Sequence, residues 1–598
     1  MKTKTLIISL FFVLLIPVAH ARSGHVKLLA VSETGEGELV GSVADIYLQI
    51  KPGTGRIFFD TFPLTKIDTQ VSTRFAKDIA CNFLDVDCDE FNFFYTIKSN
   101  SAIVGGPSAG AAITILTMAV LEGVEINESV TITGTINSGN IIGPVGGTVE
   151  KIRAAAKEGI KTVLISEGKR FVEENNKTVD LVELGKNLSI NVVEVGSLND
   201  AFYYFTGIKL KEEDDSFTIS KAYQRIMRNI SIELCGRSSR LKGKAENLSL
   251  RNSTEFEEAE NLTKKGIWAF INDSYYSSAS YCFGANIKYR NILLKNISVD
   301  ELVDKRLEIK DEIIDFEKNV SSVEIKTIQD LQTMMVVKER IADAKERIDN
   351  VLTKIVENNT EAAVFDLAYG IERLYSAQTW SKFFGGEGKA YDLSAPSIED
   401  SCYRKLSEAD ERYQYAKLFI PFSLDHIKEE LVNSLGYSME GDYVTCLAKS
   451  IEAKAKSDII LTTLTVEESQ LQNMISKKLK TAGKNIAKAE KEGIFPILGF
   501  SYYEYAKSLQ EEDPLSALLY SEYAIELSNL DIYFKSKKKS ISLGEKTTFS
   551  NEFIEKCLYF VAGVGIGSII VMMIANCKKP FRRRRRKRRK LFILTVFL

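Results

Sequence analysis

The sequence predicts an α+β domain over its amino-terminal third, a mainly α-helical region behind it and one carboxy-terminal transmembrane helix. Three observations carry that prediction. Up to about Gly207, short strand-like runs (HVKLLAV, ADIYLQI, GRIFFDT, NFFYTIK) interleave with helical ones, as in a unit with one buried core. From about Lys209 to Phe549 prolines are few, and Glu/Lys pairs recur three and four residues apart, as on solvated helices. Leu558 to Asn576 is a run of 19 residues without a charge, against the ~20 that cross a bilayer core.

The chain opens with MKTKTLIISLFFVLLIPVAHA, a basic start and an apolar run ending in a small-x-small triplet at Ala19-His20-Ala21. Residues 1–21 therefore read as a secretory signal peptide cut after Ala21, and Pro17 argues against the alternative, an uncleaved amino-terminal anchor. On either reading the chain beyond Ala21 is expected to be translocated.

Residues 22–208 form the predicted α+β domain. Its strands are followed by GGPSAG, Gly105 to Gly110, and by the apolar run AAITILTMAVLEG, which together place Ser108 where a loop turns into a helix. The first-turn N–H groups of a helix lack intrahelical partners and the dipole is positive there, so an anion forming beside the serine is stabilised by the backbone at Gly106, Ser108 and Ala109. A serine nucleophile also needs a base, and the chain holds only three histidines, His20, His25 and His426. The candidate is a lysine. Strand VTITGTI brings Thr133 and Gly134, a glycine-punctuated segment ends in GPVGG, and Lys151 follows on a second helix, 43 residues after Ser108. Strand TVLISE and a last strand–helix unit complete the domain. A serine at a helix start is ordinarily an N-cap and a helical lysine ordinarily solvated; it is their combination that points to catalysis.

At these residues the sequence resembles the proteolytic domain of Lon proteases, the serine–lysine peptidase family. GPSAG, the TG-x-I-x-x-x-G-x-I-x-x-V-GG segment and EK-I-x-A-A-x-x-x-G-I-K-T-V-L-I match in order, and KPGTGRIFFDT with the helical stretch Thr65 to Leu84 matches upstream. The likeness covers roughly Val26 to Gly207. It implies Ser108 as nucleophile, Lys151 as general base and Thr133 as the hydroxyl that helps hold the lysine. Two positions depart from the common pattern: Gly105 and Thr135 stand where many Lon domains have an acid.

Residues 209–550 are read as helical. Val299 to Asn358 suggests a long hairpin or coiled coil, with Leu302, Ile309, Ile313, Ile314, Phe316, Ile341 and Ile348 as its apolar positions. Gly499 to Leu530 reads as two helices meeting at EEDP, where Asp513 can cap and Pro514 can take the first helical position. Tyr502, Tyr505, Ala506 and Leu509 would then face Leu518, Tyr520, Ala524 and Leu527, an alternation like that of tetratricopeptide repeats. Tyr276/Ala279/Phe283 and Phe365/Ala368/Tyr369/Tyr375 hint at similar hairpins. Spacer and substrate receptor both fit this region.

Residues 557–577 are the expected transmembrane helix and 578–598 a basic tail. Its eleven basic residues, including Arg582 to Arg586, put the tail in the cytoplasm beside anionic lipid. Gly563 and Gly567 form a G-x-x-x-G pair compatible with a homo-oligomer. Setting aside those eleven charges and Lys2 and Lys4 takes the net charge from −2 to −15 for the outward part, which argues against a nucleic-acid partner there. Six of the eight cysteines lie between leader and span, an even number suited to disulfides; Cys81 with Cys88, Cys235 with Cys282 and Cys402 with Cys446 is the preferred pairing among fifteen. No Cys/His cluster suggests a metal. Eleven N-x-S/T sequons, from Asn127 to Asn358, fit a glycosylated surface.

No G-x-x-x-x-G-K-[ST] loop is present, so the ATPase that accompanies Lon peptidases is not expected in this chain. The sequence thus reads as an ATP-independent serine endopeptidase, membrane-anchored and facing outward, without cofactor or metal, acting on peptides or unfolded and exported proteins. Two alternatives stay open: an inactive Lon-like fold serving as a surface binding or assembly module, and a protein that processes only itself.

Overall fold

The alternating runs of the amino-terminal third fold first as a mixed four-stranded sheet of order β1-β2-β4-β3. In this computed structural model, residues 22–536 are described except 34–38, 66, 105–106, 138, 175–176, 211–219, 248–252, 418–419, 421–423 and 464–470. Strands β1 (Arg22–Glu33) and β2 (Leu39–Pro52) pair antiparallel, with Val26 opposite Ile46 and Leu28 opposite Ala44. Strand β3 (Ile57–Thr65) runs parallel to β4 (Phe91–Val104), which pairs antiparallel with β2. Period-two alternation puts Ala44, Ile46, Leu48 and Ile50 inward from β2. Helix α1 (Ile67–Leu84) carries Cys81, which a disulfide ties to Cys88 in the turn ahead of β4.

Helix α2 (Gly110–Glu122) is the axis of the domain: every residue from Gly110 to Leu121 is buried, as expected of a helix that is apolar all round. Its two threonines turn inward with their hydroxyls satisfied, Thr114 Oγ1 donating to Gly110 O (2.8 Å) and Thr117 Oγ1 to Ile113 O (2.7 Å). Beside it lies a parallel sheet of order β11-β8-β5, made of β5 (Val130–Thr133), β8 (Thr162–Ser166) and β11 (Asn191–Val195). The run VTITGTI is not one strand. At Gly134 it breaks, and β6 (Thr135–Ile136) pairs away with β7 (Ile142–Gly143), an approach open to glycine because a Cβ there would sit 2.5 Å from Ile142 Cγ2. Helix α3 (Thr148–Lys157) follows, then a hairpin of β9 (Phe171–Glu174) and β10 (Lys177–Asp180), short helix α4 (Leu181–Asn187) and α5 (Leu198–Thr206), which Gly207 ends at φ 72°. The hairpin and α4 are additions to the expected unit.

Twelve helices follow among the described residues: α6 (Lys221–Asn247), α7 (Thr254–Ile271), α8 (Tyr275–Leu294), α9 (Val299–Ser321), α10 (Ile328–Val356), α11 (Thr360–Trp380), α12 (Ala395–Lys417), α13 (Asp425–Met439), α14 (Tyr443–Thr463), α15 (Leu471–Lys491), α16 (Ile497–Leu509) and α17 (Pro514–Ser528). The expected hairpin from Val299 is α9 and α10, with Leu302, Ile309, Ile313, Ile341 and Ile348 buried; Ile314 instead is 48% exposed, because α10 packs chiefly along α11 and leaves that side of α9 to solvent. The EEDP junction forms as read, with Ser516 N donating to Asp513 Oδ1 (3.1 Å) and Pro514 opening α17. Tyr505 and Tyr520 meet across it with ring centroids 4.7 Å apart. Cys235–Cys282 joins α6 to α8 and Cys402–Cys446 joins α12 to α14, so all three bridges have the preferred pairing. One apolar core runs from the first sheet through α2 and α5 into the helices, with Leu116, Phe202 and Tyr223 among its members.

Among the described residues no helix is long and apolar enough to cross a membrane. The leader, the run Leu558 to Asn576, the basic tail and the terminal LFILTVFL lie outside the described residues.

Candidate active site

Ser108 sits in a 3₁₀ turn, Pro107–Ala109, that leads into α2, and it is half-buried. The turn is stitched to the end of β5: Gly134 N donates to Ser108 O (3.0 Å), and Ala111 N donates to Gly134 O (3.1 Å). The residue that caps α2 is Ala109, and no side chain bonds the first-turn N–H groups. Ser108 is therefore not occupied as an N-cap. Gly106, the third backbone donor expected here, lies outside the described residues.

Thr133 ends β5 one residue before that stitch. It is fully buried, and its Oγ1 has no hydrogen-bond partner among the described residues. Lys151 lies in the first turn of α3, whose N-cap Gly147 adopts φ 63°; a Cβ there would stand 2.7 Å from Val31 Cγ1. The lysine is only 2% exposed. Burial pushes its ammonium down from 10.5 to about 7, with the Glu150 carboxylate the one opposing charge. The helix position adds to this, since a cation in the first turn faces the positive end of the dipole. Val149 and Ile152, on the same helix, pack in an apolar cluster with Leu29, Ile160 and Val163. Val145 belongs to a different cluster, against Tyr413 and Tyr415.

Strand β1 runs past the serine turn, β5 and α3, and so holds all three candidate residues on one frame. The backbone brings Ser108 and Thr133 together through Gly134. No hydrogen bond joins Ser108 to Lys151 among the described residues; catalytic bonds are often long before substrate binds. A cavity of about 930 Å³ is lined by Thr135 and the loop after it but by none of Ser108, Thr133 and Lys151.

Sequence reasoning missed a clamp on the loop between serine and lysine. Helix α12 touches the serine turn and α1, and Ser72 Oγ donates to Glu411 Oε1 (2.6 Å). Arg412, 5% exposed, donates from Nη2 to Ile136 O (2.7 Å) and pairs with Asp458 (3.2 Å). The Tyr415 hydroxyl accepts from Gly146 N. Buried Lys405 holds α12 in place, bridging Glu408 (2.9 Å) and Glu526 (2.8 Å) of α17. These partners stand 276 and 269 residues apart for Arg412 and Tyr415, and no local pattern announces them.

Residues 97–200, which contain Ser108, Thr133 and Lys151, match the model of the Lon protease (S16) C-terminal proteolytic domain. The chain contains a Lon-type proteolytic domain. It is 38% identical over 174 residues to the Lon protease of Brucella suis biovar 1 (28% of this chain, 20% of that one) and 36% identical over 184 residues to that of Rhizobium meliloti (30% and 21%). The Lon protease of Paraburkholderia phytofirmans is 32% identical over 130 residues (21% and 16%). The chain thus spans about a fifth of the length of the curated relatives it matches. No part of the helical region falls within the matched domain.

Proposed function

We propose that the protein is a serine endopeptidase in which Ser108 attacks and Lys151 is the base. The observation that carries this reading is the lysine: buried inside a Lon-type domain and titrating near 7, it is half neutral at physiological pH where a solvated lysine is almost wholly charged. The neutral ε-amine takes the Ser108 hydroxyl proton as Oγ adds to the substrate carbonyl carbon. The oxygen that becomes negative lies at the uncapped start of α2. The ammonium then gives its proton to the departing amine, and water, deprotonated by the same lysine, releases the acyl group from Ser108. Thr133, whose buried hydroxyl has no partner among the described residues, would hold the amine.

The sequence lacks a phosphate-binding loop, which supports action without nucleotide on unfolded polypeptides. The apolar run before the basic tail supports a membrane anchor with the active domain outward, and all nine sequon asparagines among the described residues are exposed, which supports glycosylation there. A second reading, an inactive domain used for binding, is favoured by the missing Ser108–Lys151 hydrogen bond and the unpartnered Thr133 hydroxyl. A fluorogenic unstructured peptide decides between them. Ser108→Ala, Lys151→Ala and Lys151→Arg should each abolish cleavage with circular dichroism unchanged, because guanidinium is not deprotonated in proteins. His25→Gln and His426→Gln should cleave at the wild-type rate. Activity surviving in Lys151→Arg removes lysine from the mechanism, and inactivity of the wild type with and without ATP favours the binding module.

A further inference from the structure

The cavity of about 930 Å³ lies apart from Ser108, Thr133 and Lys151, none of which lines it. Its floor is the loops 135–144, 167–171 and 194–200, which leave the carboxyl ends of the parallel strands β5, β8 and β11. Open α/β sheets receive ligands in the crevice outside those strand ends. Here α15 and the end of α14 roof the crevice, making a walled cleft.

The polar atoms that line it are incompletely paired. Among the described residues, Asn485 is 6% exposed and its Nδ2 has no partner, Glu522 is 1% exposed and its Oε2 has none, and Asn199 Oδ1 is also buried and unpaired. Buried polar groups are rarely left this way in a finished structure. An orphaned donor beside orphaned acceptors fits a ligand that offers both, as a peptide backbone does and an inorganic ion does not. Ile141, Phe171 and Met474 add apolar surface to the lining.

Charge narrows the ligand further. Seven lining residues are basic and five acidic, in a chain whose formal charge is −2. Lys477 and Lys478 are paired with Glu167 and Glu522, whereas Lys480 and Lys484 have no ion pair among the described residues. They continue to Lys488 as a stripe with one lysine every four residues along α15. None of the eleven sequon asparagines is a lining residue.

We propose that this cleft binds an extended acidic segment of polypeptide, apart from the bond cleaved at Ser108. The inference rests on the peptidase reading for the reason a polypeptide is held here, and its test reads binding separately from hydrolysis. Purified full-length protein carrying Ser108→Ala is titrated into a fluorescein-labelled decapeptide of alternating Glu and Leu, or of alternating Lys and Leu, and anisotropy is followed at 0.15 M salt. The acidic peptide should bind at least tenfold tighter than the basic one. Lys480→Glu with Lys484→Glu should weaken it at least tenfold and Asn485→Leu at least threefold, while Lys264→Glu, 70% exposed on α7, changes nothing. Equal binding of the two peptides, or no greater loss in the cleft variants than in Lys264→Glu, overturns the proposal. Displacement of the peptide by equimolar inorganic polyphosphate overturns it too, by showing a general anion site. Binding with these dependences in a chain whose wild type cleaves nothing upholds the cleft and sinks only the peptidase reading.

Discussion

Replacing Lys151 with methionine should make the protein more stable and wholly inactive. Methionine keeps the length and apolar stem of lysine and discards the amine. The lysine is 2% exposed and its amine titrates near 7 in the fold, against 10.5 when unperturbed. At about 1.4 kcal/mol per pKa unit, the gap weighs about 5 kcal/mol against the fold at pH below 7, where both states are protonated. At pH 7 half of the folded molecules have shed the proton and about 4 kcal/mol remains; by pH 10 less than about 1 kcal/mol does. Between 7 and 10.5 the unfolded state binds more protons, so wild-type stability rises with pH across that window.

The assay is urea unfolding of wild type and Lys151→Met at pH steps from 6 to 10, disulfides intact. The difference between the two cancels every other titrating group. It should favour the variant by about 4 kcal/mol at pH 7 and shrink as pH rises. A difference that is flat in pH, or a variant less stable at pH 7, would refute the buried, depressed lysine and with it the base. The same ionisation should govern rate: kcat/KM climbs about tenfold per pH unit below 7 and levels off above.

Arg412→Met removes the bond to Ile136 O and the ion pair with Asp458, leaving Asp458 with Lys454 alone at 3.5 Å. Breaking a buried pair from one side costs about 3–5 kcal/mol, and because the loop it holds leads from Gly134 to Lys151, kcat should fall by more than KM rises; a change in unfolding midpoint without one in kcat would separate the clamp from the dyad. Cys235→Ser with Cys282→Ser opens a bridge of sequence separation 47, which the chain-entropy relation values at about 4 kcal/mol, read as a lowered Tm under non-reducing conditions.

Much of the amino-terminal domain was legible because its signals are local. Period-two alternation located β1 to β4, and a serine ahead of an apolar run located the turn into α2, because burial and helix-end chemistry act within a few residues. The split of VTITGTI at Gly134 was not legible, since it depends on Ile142 approaching from the next strand. The hairpin of β9 and β10 escaped for the opposite reason: its residues are half-buried or exposed, and carry no strong apolar alternation. The cysteine pairing followed chain order because each bridge joins elements that pack as near neighbours. Arg412 and Tyr415 gave no sign at all, looking in sequence like any polar and aromatic residues on a charged helix.

That hidden contact changes what the helical region is for. A stalk that only spaces the domain from a membrane has no reason to bury an arginine against the loop between Ser108 and Lys151. Here α12 reaches Ile136 and Gly146 on that loop and Ser72 on α1, is bridged to α17 by Lys405, and is tied to α14 by Cys402–Cys446. A lysine held neutral at a cost of about 4 kcal/mol at pH 7 will escape to water if the loop ahead of α3 can open, regaining its proton as it goes. The clamp opposes that opening with a buried ion pair, a tyrosine bond and a covalent bridge behind them. On the proposed chemistry, the helices then do two things at once: α12 keeps Lys151 dry, and α14 and α15 wall the cleft in which a substrate's acidic stretch is held.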